Sequence, residues 1–366
     1  MDPWIWKNRD WPHFTWDAGK VLEPLSSARL RQGMLLGKMG HMAVEVRHGA
    51  MAEVMTEEAV STSGIDGEHL NRASVRSSVC RKLGVPHAGL GLSDRKSDGV
   101  VEMVLDATQN YGSRLTKKDL CKWHRGLFPV DTAQLEEIRV GDYRNRPEQI
   151  VSGPIGENRV HFVAPPPDAV NSEMRQFINW YNKPAQVDGL IRAAVVTLWF
   201  LIIHPFDDGN GRIARAIADK ALAQDEGSVL RFYSLSSQIE KEREGYYAAL
   251  HQTNHSTMDI TDWVRWFLGC FERAVQGTEA TVALITRKDA FWRQFAEVQF
   301  NDRQNKVINR LLDGFKGNMT SSKWGNLAKC SPATANRDIL DLVDKGVLER
   351  NPGGSKRTSY RLRGGD

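Results

Sequence analysis

The spacing of hydrophobic and polar positions predicts a protein built mainly of α-helices. Apolar residues recur through most of the chain at the three-to-four-residue spacing that places them on one helix face. Gly64 and Gly67 are expected to separate two of the early helices. Helical stretches are predicted at residues 17–39, 57–65, 72–83, 97–127, 172–224 and 238–274.

One segment departs from this pattern and predicts a β-hairpin. At residues 149–163, two short strand-like runs flank the turn-forming residues Ser152-Gly153-Pro154, and the second run alternates through Val160 and Phe162. An isolated hairpin is only marginally stable. It is therefore expected to pack on the helices or to offer a free edge.

The last part of the chain has its own pattern and its own charge. Helices are predicted at 305–315, 322–329 and 332–345, and a hairpin-like run follows at 349–362. Residues 316–366 contain ten Lys or Arg and five Asp or Glu, a net charge of +5. The whole chain carries +4, so the preceding part sums to −1. Only this end has a basic excess suited to polyanions.

The third of these helices has a well-formed start, with Ser331 as N-cap and Pro332 in the first turn. A helix–turn–helix followed by a basic hairpin resembles a winged helix, with Thr334, Asn336 and Arg337 on the recognition helix. Such domains contact DNA or dock proteins, and both interpretations stay open.

Composition bears on three classes of protein: membrane-spanning, secreted, and stabilised by zinc or disulfides. The most apolar run, 193–203, is about half of the ~20 residues that cross a bilayer, so it predicts a buried core helix. The start Met1-Asp2-Pro3-Trp4 lacks a basic segment before an apolar one, so no signal peptide is expected and the protein is predicted to be cytoplasmic. A zinc cluster or disulfide framework is disfavoured by the wide spacing of Cys80, Cys121, Cys270 and Cys330.

The most informative stretch is residues 204–215, His-Pro-Phe-Asp-Asp-Gly-Asn-Gly-Arg-Ile-Ala-Arg. An apolar helix ends before Pro205, which cannot continue it. Residues 207–211 form a loop, and a second helix is predicted from Arg212 to about Gln224. Glycines at such a junction let backbone N–H groups approach a phosphate, and the helix N-terminus adds about half a positive charge.

The charged residues of this stretch point to the same ligand. Arg212 and Arg215 lie three apart, on one face of the helix start, where two cations oppose the helix dipole unless an anion sits between them. Asp208 is a suitable oxygen ligand for Mg²⁺, and His204 can take a proton near neutral pH. A lone histidine beside proline is more often structural, but the combination favours a catalytic phosphate site.

This stretch resembles, at every position, the signature HxFx[DE]GNGRxxR of the Fic (Fido) family. The tryptophan-rich start, Trp4-Ile5-Trp6 through Asp10-Trp11-Pro12, resembles the N-terminal helical extension of many bacterial Fic proteins, and 149–163 resembles the family's flap. The resemblance implies a Fic helical core with a hairpin flap plus a winged helix. It assigns 1–110 to the N-terminal helical extension, 111–275 to the catalytic domain, and 276–366 to a linker helix and winged-helix domain.

The family further implies a protein adenylyltransferase that uses ATP and Mg²⁺. His204 would deprotonate a Ser, Thr or Tyr hydroxyl of the target, which attacks the α-phosphorus of ATP. Asp208 would hold Mg²⁺, Arg215 would take the γ-phosphate, and Phe206 would anchor the loop. The residues that the resemblance assigns to the ATP site are Gly209, Asn210, Gly211, Arg212, Ile213, Ala214, Arg215 and Tyr247; Tyr247 and its neighbour Tyr246 are also explained by core packing.

A second segment, residues 62–67, suggests a built-in inhibitor. Taken alone it is a helix end with glycine, but Thr62, Asp66 and Gly67 also resemble the family's inhibitory motif [ST]xxxEG. In that family the acid pairs with the second arginine of the signature and blocks the γ-phosphate site. Because aspartate is one methylene shorter than glutamate, the pair with Arg215 is expected to be longer or bridged by water, and the inhibition weaker.

Partners follow from the resemblance as well. The flap at 149–163 is expected to hold the target protein as an added strand through main-chain hydrogen bonds. Self-modification, a homodimer and DNA bound by the winged helix are further expectations. Two alternative functions stay open, namely a DNA-binding regulator that senses a nucleotide without turnover, and a transferase with another donor such as UTP or a phosphocholine compound.

Overall fold

The chain is mainly helical, as the pattern of apolar residues predicted. The structure is a computed structural model, and its described part divides into two compact units, Met1–Glu279 and Ala280–Asp366. The division of the first unit at residue 110 stays a prediction. The described residues are 4–40, 42, 44–85, 91–129, 138–152, 159–184, 186–255, 257–312, 315, 317–352 and 358–363.

In the first unit, helices precede and follow one β-hairpin. The elements are α1 (Ala18–Gly40), α2 (Val44–Ile65), α3 (Arg72–Leu83), α4 (Arg95–Gln109), α5 (Lys117–Leu127), β1 (Gln149–Ser152), β2 (Arg159–Val163), α6 (Pro167–Tyr181), α7 (Gly189–Ile203), α8 (Asn210–Glu226), α9 (Leu235–Lys241), α10 (Arg243–Asn254) and the first part of α11 (Thr261–Gln294).

The predicted helix break at Gly64 is wrong, because α2 runs through it to Ile65. Glycine serves a different purpose here. A Cβ at this position would lie 2.2 Å from Oε1 of Glu240, near the end of α9. Gly64 therefore permits close packing of α2 on α9, and the chain turns only at Gly67, whose φ is +86°.

Helices α7 and α8 form the centre of the first unit. Helix α7 is almost wholly apolar, and side chains such as Val196, Phe200 and Ile203 are fully buried. Helix α6 packs against α7, while α2, α4 and α5 pack against α8. The loop between α7 and α8 therefore joins two helices that their neighbours hold in place. Among the described residues, no helix is both long and apolar enough to cross a membrane.

The predicted hairpin is present as the antiparallel pair β1–β2, with Ile150 opposite Phe162. Its turn, residues 153–158, lies outside the described residues. The side chains of Ile150 and Val160 are 42% and 43% exposed, whereas Phe162 is buried. Phe162 therefore packs on the protein, while the apolar side chains of Ile150 and Val160 remain accessible.

The N-terminal tryptophans hold the hairpin in place. The ring of Trp4 packs edge-on against Phe162, with centroids 5.6 Å apart. Trp6 donates from Nε1 to the carbonyl oxygen of Val163 at 2.7 Å. These contacts give the otherwise marginal two-stranded sheet a packed face.

The second unit contains the elements predicted for the basic end, with their own core. After the last part of α11 come α12 (Asp302–Leu312), α13 (Ser321–Ala328), α14 (Pro332–Asp344), β3 (Leu348–Arg350) and β4 (Tyr360–Leu362). The N-cap prediction is confirmed, because Ser331 Oγ accepts from the backbone N–H of Thr334 at 3.2 Å. The core of the second unit includes Val307, Trp324, Ile339, Leu342 and Leu348.

On α14, Asn336 and Arg337 are exposed and Thr334 is half-buried. Assignment of this unit to the winged-helix class, and contact with DNA, stay predictions. The glycines predicted for its hairpin turn, Gly353 and Gly354, lie outside the described residues.

We expect Gly99→Ala to destabilise the protein by about 1–3 kcal/mol, because overpacking carries a cost of that size. A Cβ at Gly99 in α4 would lie 1.8 Å from the carbonyl oxygen of Gly126 in α5, so the two helices would have to separate. Gly49→Ala in α2 is the matched control, since nothing lies within 4 Å of its Cβ. Urea unfolding measures both, and an equal change in unfolding free energy would contradict the close helix contact.

Candidate functional site

His204 ends α7 in a backbone conformation that few residues adopt. Its φ of 51° and ψ of 59° lie in the left-handed region, which is uncommon for residues other than glycine and clusters at functional sites. Arg144 stabilises this turn, because its Nε donates to the carbonyl oxygen of His204 at 2.7 Å. The imidazole is thereby placed at the wall of a cavity.

The hydrogen bond of the His204 ring defines its tautomer. Nδ1 lies 3.1 Å from the carbonyl oxygen of Leu201. Because a carbonyl can only accept, Nδ1 carries the proton and Nε2 is the basic nitrogen. Burial lowers the pKa of His204 to about 4. The ring is therefore neutral at pH 7, which is the form that a general base requires.

The loop after His204 is closed by Phe206 and Asn210. Asn210 Oδ1 accepts from the backbone N–H of Phe206 at 3.0 Å, and Nδ2 donates to the carbonyl oxygen of Phe206 at 2.7 Å. The buried Phe206 ring stacks on the imidazole of His124, with centroids 4.3 Å apart. The Asn210 amide, expected to face phosphate, thus makes hydrogen bonds within the loop through both its oxygen and its nitrogen.

Helix α8 begins two residues earlier than predicted, at Asn210 rather than Arg212. Its N-cap is Gly209, whose φ of 76° is left-handed, and no side chain in the described part of the loop caps it. Glycine adopts this conformation without a steric cost. The first N–H groups of a helix lack intrahelical partners and favour an anion. The expected phosphate site is thus the first turn of α8.

Arg215 is buried, and an acid from the predicted inhibitory segment is its partner. Only 2% of the Arg215 side chain is exposed, and its Nη2 lies 2.9 Å from Asp66 Oδ2. Thr62 accepts twice from the same guanidinium, at 2.7 Å through Oγ1 and at 2.6 Å through its carbonyl oxygen. Burial opposes the charge, but the Asp66 carboxylate raises the pKa of Arg215 above its ordinary value. Arg215 and Asp66 therefore form an ion pair.

The Asp66 carboxylate lies directly over the first turn of α8. A Cβ on Gly211 would be 2.8 Å from Asp66 Oδ1 and 3.1 Å from Arg215 Nη1. The shorter aspartate therefore reaches Arg215 without an intervening water. The carboxylate occupies the place that the sequence analysis assigned to a phosphate.

Arg212 has a carboxylate partner that the sequence analysis missed. Its Nη1 donates to Glu68 Oε2 at 2.6 Å, and its side chain is only 3% exposed. Glu68 Oε1 in turn lies 2.5 Å from the Nζ of Lys96 in α4. Asp66 Oδ2 is 3.7 Å from Arg212 Nε. Both arginines are therefore paired with acids from residues 66–68. The position of Glu68 immediately after the predicted motif was a usable signal.

Asp208 presents the carboxylate expected to hold Mg²⁺. Its side chain is 55% exposed, and Oδ2 lies 3.5 Å from Arg212 Nη2. Across the described ranges, no group of three or more His, Cys, Asp or Glu is arranged to hold a metal ion. Mg²⁺ is often bound by one or two carboxylates together with substrate phosphates. A single exposed carboxylate beside a phosphate site fits that mode of binding.

One cavity of about 620 Å³ joins these groups, within the usual size range of small-molecule sites. Tyr247 donates from its hydroxyl to the carbonyl oxygen of Ile65 at 3.2 Å, so the segment that contains Asp66 contacts the cavity wall. The residues lining the cavity are Asp66, Ile150, His161, Phe162, Leu201, His204, Asp208, Asn210, Gly211, Arg215, Arg243, Tyr246, Tyr247, Leu250, His251 and Asn254.

Two predicted ATP-site residues, Ile213 and Ala214, are fully buried, so their side chains serve packing within α8. Asn254 was not predicted. It is 9% exposed and lines the cavity, and its Oδ1 has no hydrogen-bond partner within the part of the chain that the structure describes. A buried acceptor of this kind suits a donor on a ligand. Nothing in the local sequence distinguished it.

Comparison with known protein families gives two adjacent matches. Residues 114–222 match the Fic/DOC family. Residues 4–85 match a domain of unknown function, DUF4172. The first match contains the α7–α8 loop, and the second contains the segment with Thr62 and Asp66.

Relatives and solved structures agree with the first match. Protein adenylyltransferase Fic of Nematostella vectensis is 25% identical over 243 residues, which cover 64% of this chain and 51% of the relative. Protein adenylyltransferase fic-1 of Caenorhabditis elegans is 25% identical over 220 residues, 59% of this chain and 39% of the relative. The chain thus spans about half the length, or less, of the curated relatives it matches.

The fold is similar to that of a Fic family protein from Desulfovibrio desulfuricans, with a TM-score of 0.58, 20% identity, and coverage of 97% of this chain and 99% of that one. A Fic domain containing signaling protein from Bacteroides thetaiotaomicron gives a TM-score of 0.52 at 20% identity and covers 72% of this chain and 97% of that one. The signature loop, the matched region and the shared fold agree: residues 114–222 of this chain form a Fic/DOC domain.

Proposed function

We propose that this protein transfers AMP from ATP to a hydroxyl side chain of a target protein. The observation that carries the proposal is the pairing within one cavity of a neutral His204 with an anion site at the first turn of α8. The names of the relatives, protein adenylyltransferases, support the same reaction. The chemistry demands little beyond positioning and charge stabilisation.

The chain's own residues divide the reaction between them. His204 Nε2 accepts the proton of the target hydroxyl, whose oxygen forms a bond to the α-phosphorus of ATP. The bond from that phosphorus to the bridging oxygen of pyrophosphate breaks, so AMP remains on the target as a phosphodiester. Arg212, Arg215 and the N–H groups of the first turn of α8 stabilise the charge on the departing pyrophosphate.

Asp208 is the residue that would hold Mg²⁺ against the phosphate oxygens. The ion, when bound, supplies charge neutralisation during phosphoryl chemistry. The target is proposed to align with the β1–β2 hairpin as an added strand. The exposure of Val160 and of Ile150, which lines the cavity, supports this location.

The ATP site is proposed to be closed in the free protein by residues 62–68. Two ion pairs support this: Asp66 neutralises Arg215 and Glu68 neutralises Arg212. A triphosphate and these carboxylates cannot occupy the same guanidinium groups. Lys96 holds Glu68 in place from α4, so the inhibition rests on two acids where the sequence motif indicated one.

The primary experiment identifies the adduct. The Asp66→Gly variant is incubated with Mg²⁺, ATP and a cell lysate, and modified proteins are analysed by mass spectrometry. We expect a hydroxyl-linked AMP and its loss in the Asp66→Gly/His204→Ala double variant. An adduct of UMP or phosphocholine mass, after incubation with those donors, would favour another donor. Nucleotide binding without any adduct would favour the sensing regulator.

Removing the inhibitory acids should raise AMP incorporation. We expect Asp66→Gly to increase the initial rate about tenfold or more, corresponding to about 1.4 kcal/mol, and Glu68→Gln to increase it by a smaller factor. Thermal unfolding provides an independent measurement: without its acid, Arg215 is a buried unpaired charge, so Asp66→Gly should be less stable alone and gain more from Mg·ATP than wild type.

The control for the inhibitory acids is Glu23→Gln, which removes an exposed carboxylate of α1. It should change neither the rate nor the stabilisation by Mg·ATP. Wild-type rates and wild-type ATP stabilisation in both Asp66→Gly and Glu68→Gln would rule out closure by these acids.

The pH dependence should follow the lowered pKa of His204, about 4. A depressed histidine pKa means that the neutral base persists as pH falls, until pH approaches the folded value. We therefore expect the single-turnover rate of Asp66→Gly to change less than about twofold between pH 8 and 5.5. A histidine with the ordinary pKa of about 6.5 would lose roughly tenfold over that interval, and a loss of that size would contradict the assignment.

A further inference from the structure

The loop between α7 and α8 is held by residues outside the cavity. We propose that His124 and Arg144 are positioning residues for the transfer reaction: His124 orients the peptide between Asp208 and Gly209, and Arg144 orients His204. This inference rests on the proposed function. Neither side chain lines the cavity within the described part of the chain, so both would act through the main chain that they contact.

His124, in α5, is fully buried and makes two hydrogen bonds that define its role. The backbone N–H of Gly141 donates to Nδ1 at 2.9 Å. Because an N–H group can only donate, Nδ1 is the acceptor and Nε2 carries the proton. Nε2 lies 3.2 Å from the carbonyl oxygen of Asp208. His124 therefore donates to the residue that presents the candidate metal-binding carboxylate.

The His124 bond also determines where the next amide points. In a trans peptide the C=O and the following N–H point in opposite directions. A carbonyl of Asp208 turned toward His124 thus turns the N–H of Gly209 away from it, to the side where the Asp208 carboxylate accepts from that N–H. The stack of His124 on Phe206 fixes the ring that makes the bond.

Arg144 makes a corresponding set of contacts on the other side of the loop. Its guanidinium is buried, and it donates to the carbonyl oxygens of His204 at 2.7 Å, Pro165 at 2.6 Å and Ile203 at 3.3 Å. Its own backbone N–H donates to the carbonyl oxygen of Pro205 at 2.8 Å. Three consecutive carbonyls, 203–205, are thus held by one residue.

The geometry of these contacts suits arginine alone. A planar guanidinium offers five donors in a fixed fork, whereas lysine offers one compact ammonium. The cation also lies at the C-terminal end of α7, where the helix dipole favours positive charge. Arg144 thereby stabilises the left-handed turn that places the His204 imidazole at the cavity.

The two contacts predict different kinetic defects. Loss of the His124 bond should disturb the site of phosphate and metal binding, and so weaken binding of Mg·ATP. Loss of the Arg144 contacts should displace the base and so slow the chemical step. Displacement of a reacting group by about 1 Å can cost on the order of 100-fold in rate. A general loss of stability would not divide in this way.

The experiment uses the full chain carrying Asp66→Gly as reference. His124→Phe keeps an aromatic ring on Phe206 but removes both hydrogen bonds; His124→Gln retains an amide that can accept and donate. We measure Mg·ATP binding by calorimetry, kcat and KM for AMP incorporation, and thermal unfolding. His124→Phe should raise Kd and KM for Mg·ATP about tenfold or more, which is the size of effect that loss of one hydrogen bond produces. His124→Gln should recover most of the affinity.

Arg144→Lys should lower kcat by about 10- to 100-fold while Kd for Mg·ATP stays within about threefold of the reference, a difference below ~1 kcal/mol. Leu35→Ala in α1 is the matched control, because it removes a buried side chain from a helix whose Arg29 pairs with Asp225, at the end of α8 away from the loop. The folded fraction of that variant should keep the reference Kd and kcat.

Reference values of Kd and kcat in both His124→Phe and Arg144→Lys would overturn the proposal. Equal defects in kcat and KM in these two variants and in Leu35→Ala, at the same loss of thermal stability, would also overturn it. If His124→Phe does not fold, His124→Leu takes its place, and a reference Kd for Mg·ATP in that variant would overturn the role of His124. Absence of any adduct in the reference would instead refute the proposed transfer, and calorimetry would still decide the role of His124.

Discussion

The arrangement of this protein depends on a buried guanidinium that requires an anion. Arg215 lies inside the protein near the N-terminus of α8, where the helix dipole disfavours a positive charge. Leaving such a group unpaired costs about 3–5 kcal/mol. In the free protein the anion is Asp66, whose carboxylate lies over Gly211 at the first turn of the same helix. We propose that in the reaction the anion is a phosphate.

In the proposed function, a site that must always hold an anion links catalysis to inhibition. The same exchange applies at Arg212, where Glu68 is the resident acid and Lys96 holds it from α4. In the proposed reaction, ATP binding would therefore have to displace two carboxylates and reorganise the short segment after α2. The Tyr247 hydroxyl donates a hydrogen bond to the carbonyl oxygen of Ile65. The chain around Asp66 therefore also contacts the cavity wall. The proposed closure thus involves both the expected phosphate end of the cavity and the wall that contains Tyr247.

The features of the protein that could be predicted are those that neighbouring residues determine. The helical pattern, the hairpin strands and the Ser331 cap follow from local periodicity and turn chemistry, and the grouping of His204, Asp208 and Arg215 follows from one stretch of twelve residues. The pairing of Asp66 with Arg215 could be expected only from a family resemblance, because 149 residues separate the two in the chain.

What could not be predicted depends on contacts between distant segments. Lys96 and Glu68 meet because α4 packs beside the end of α2, and Arg144 reaches 60 residues forward to His204. Gly64 was taken for a helix break because its close contact with Glu240 has no local signal. In each case tertiary packing decided between roles that the residue type alone allowed.

The central claim is that the Asp66 carboxylate and a nucleotide phosphate share one position on Arg215. A crystal structure of Asp66→Gly with Mg²⁺ and a non-hydrolysable ATP analogue tests it most directly. We predict a terminal phosphate oxygen within hydrogen-bond distance of Arg215, over Gly211, and the α-phosphorus facing His204 Nε2. A triphosphate bound elsewhere, with Arg215 paired to another protein acid, would contradict the account.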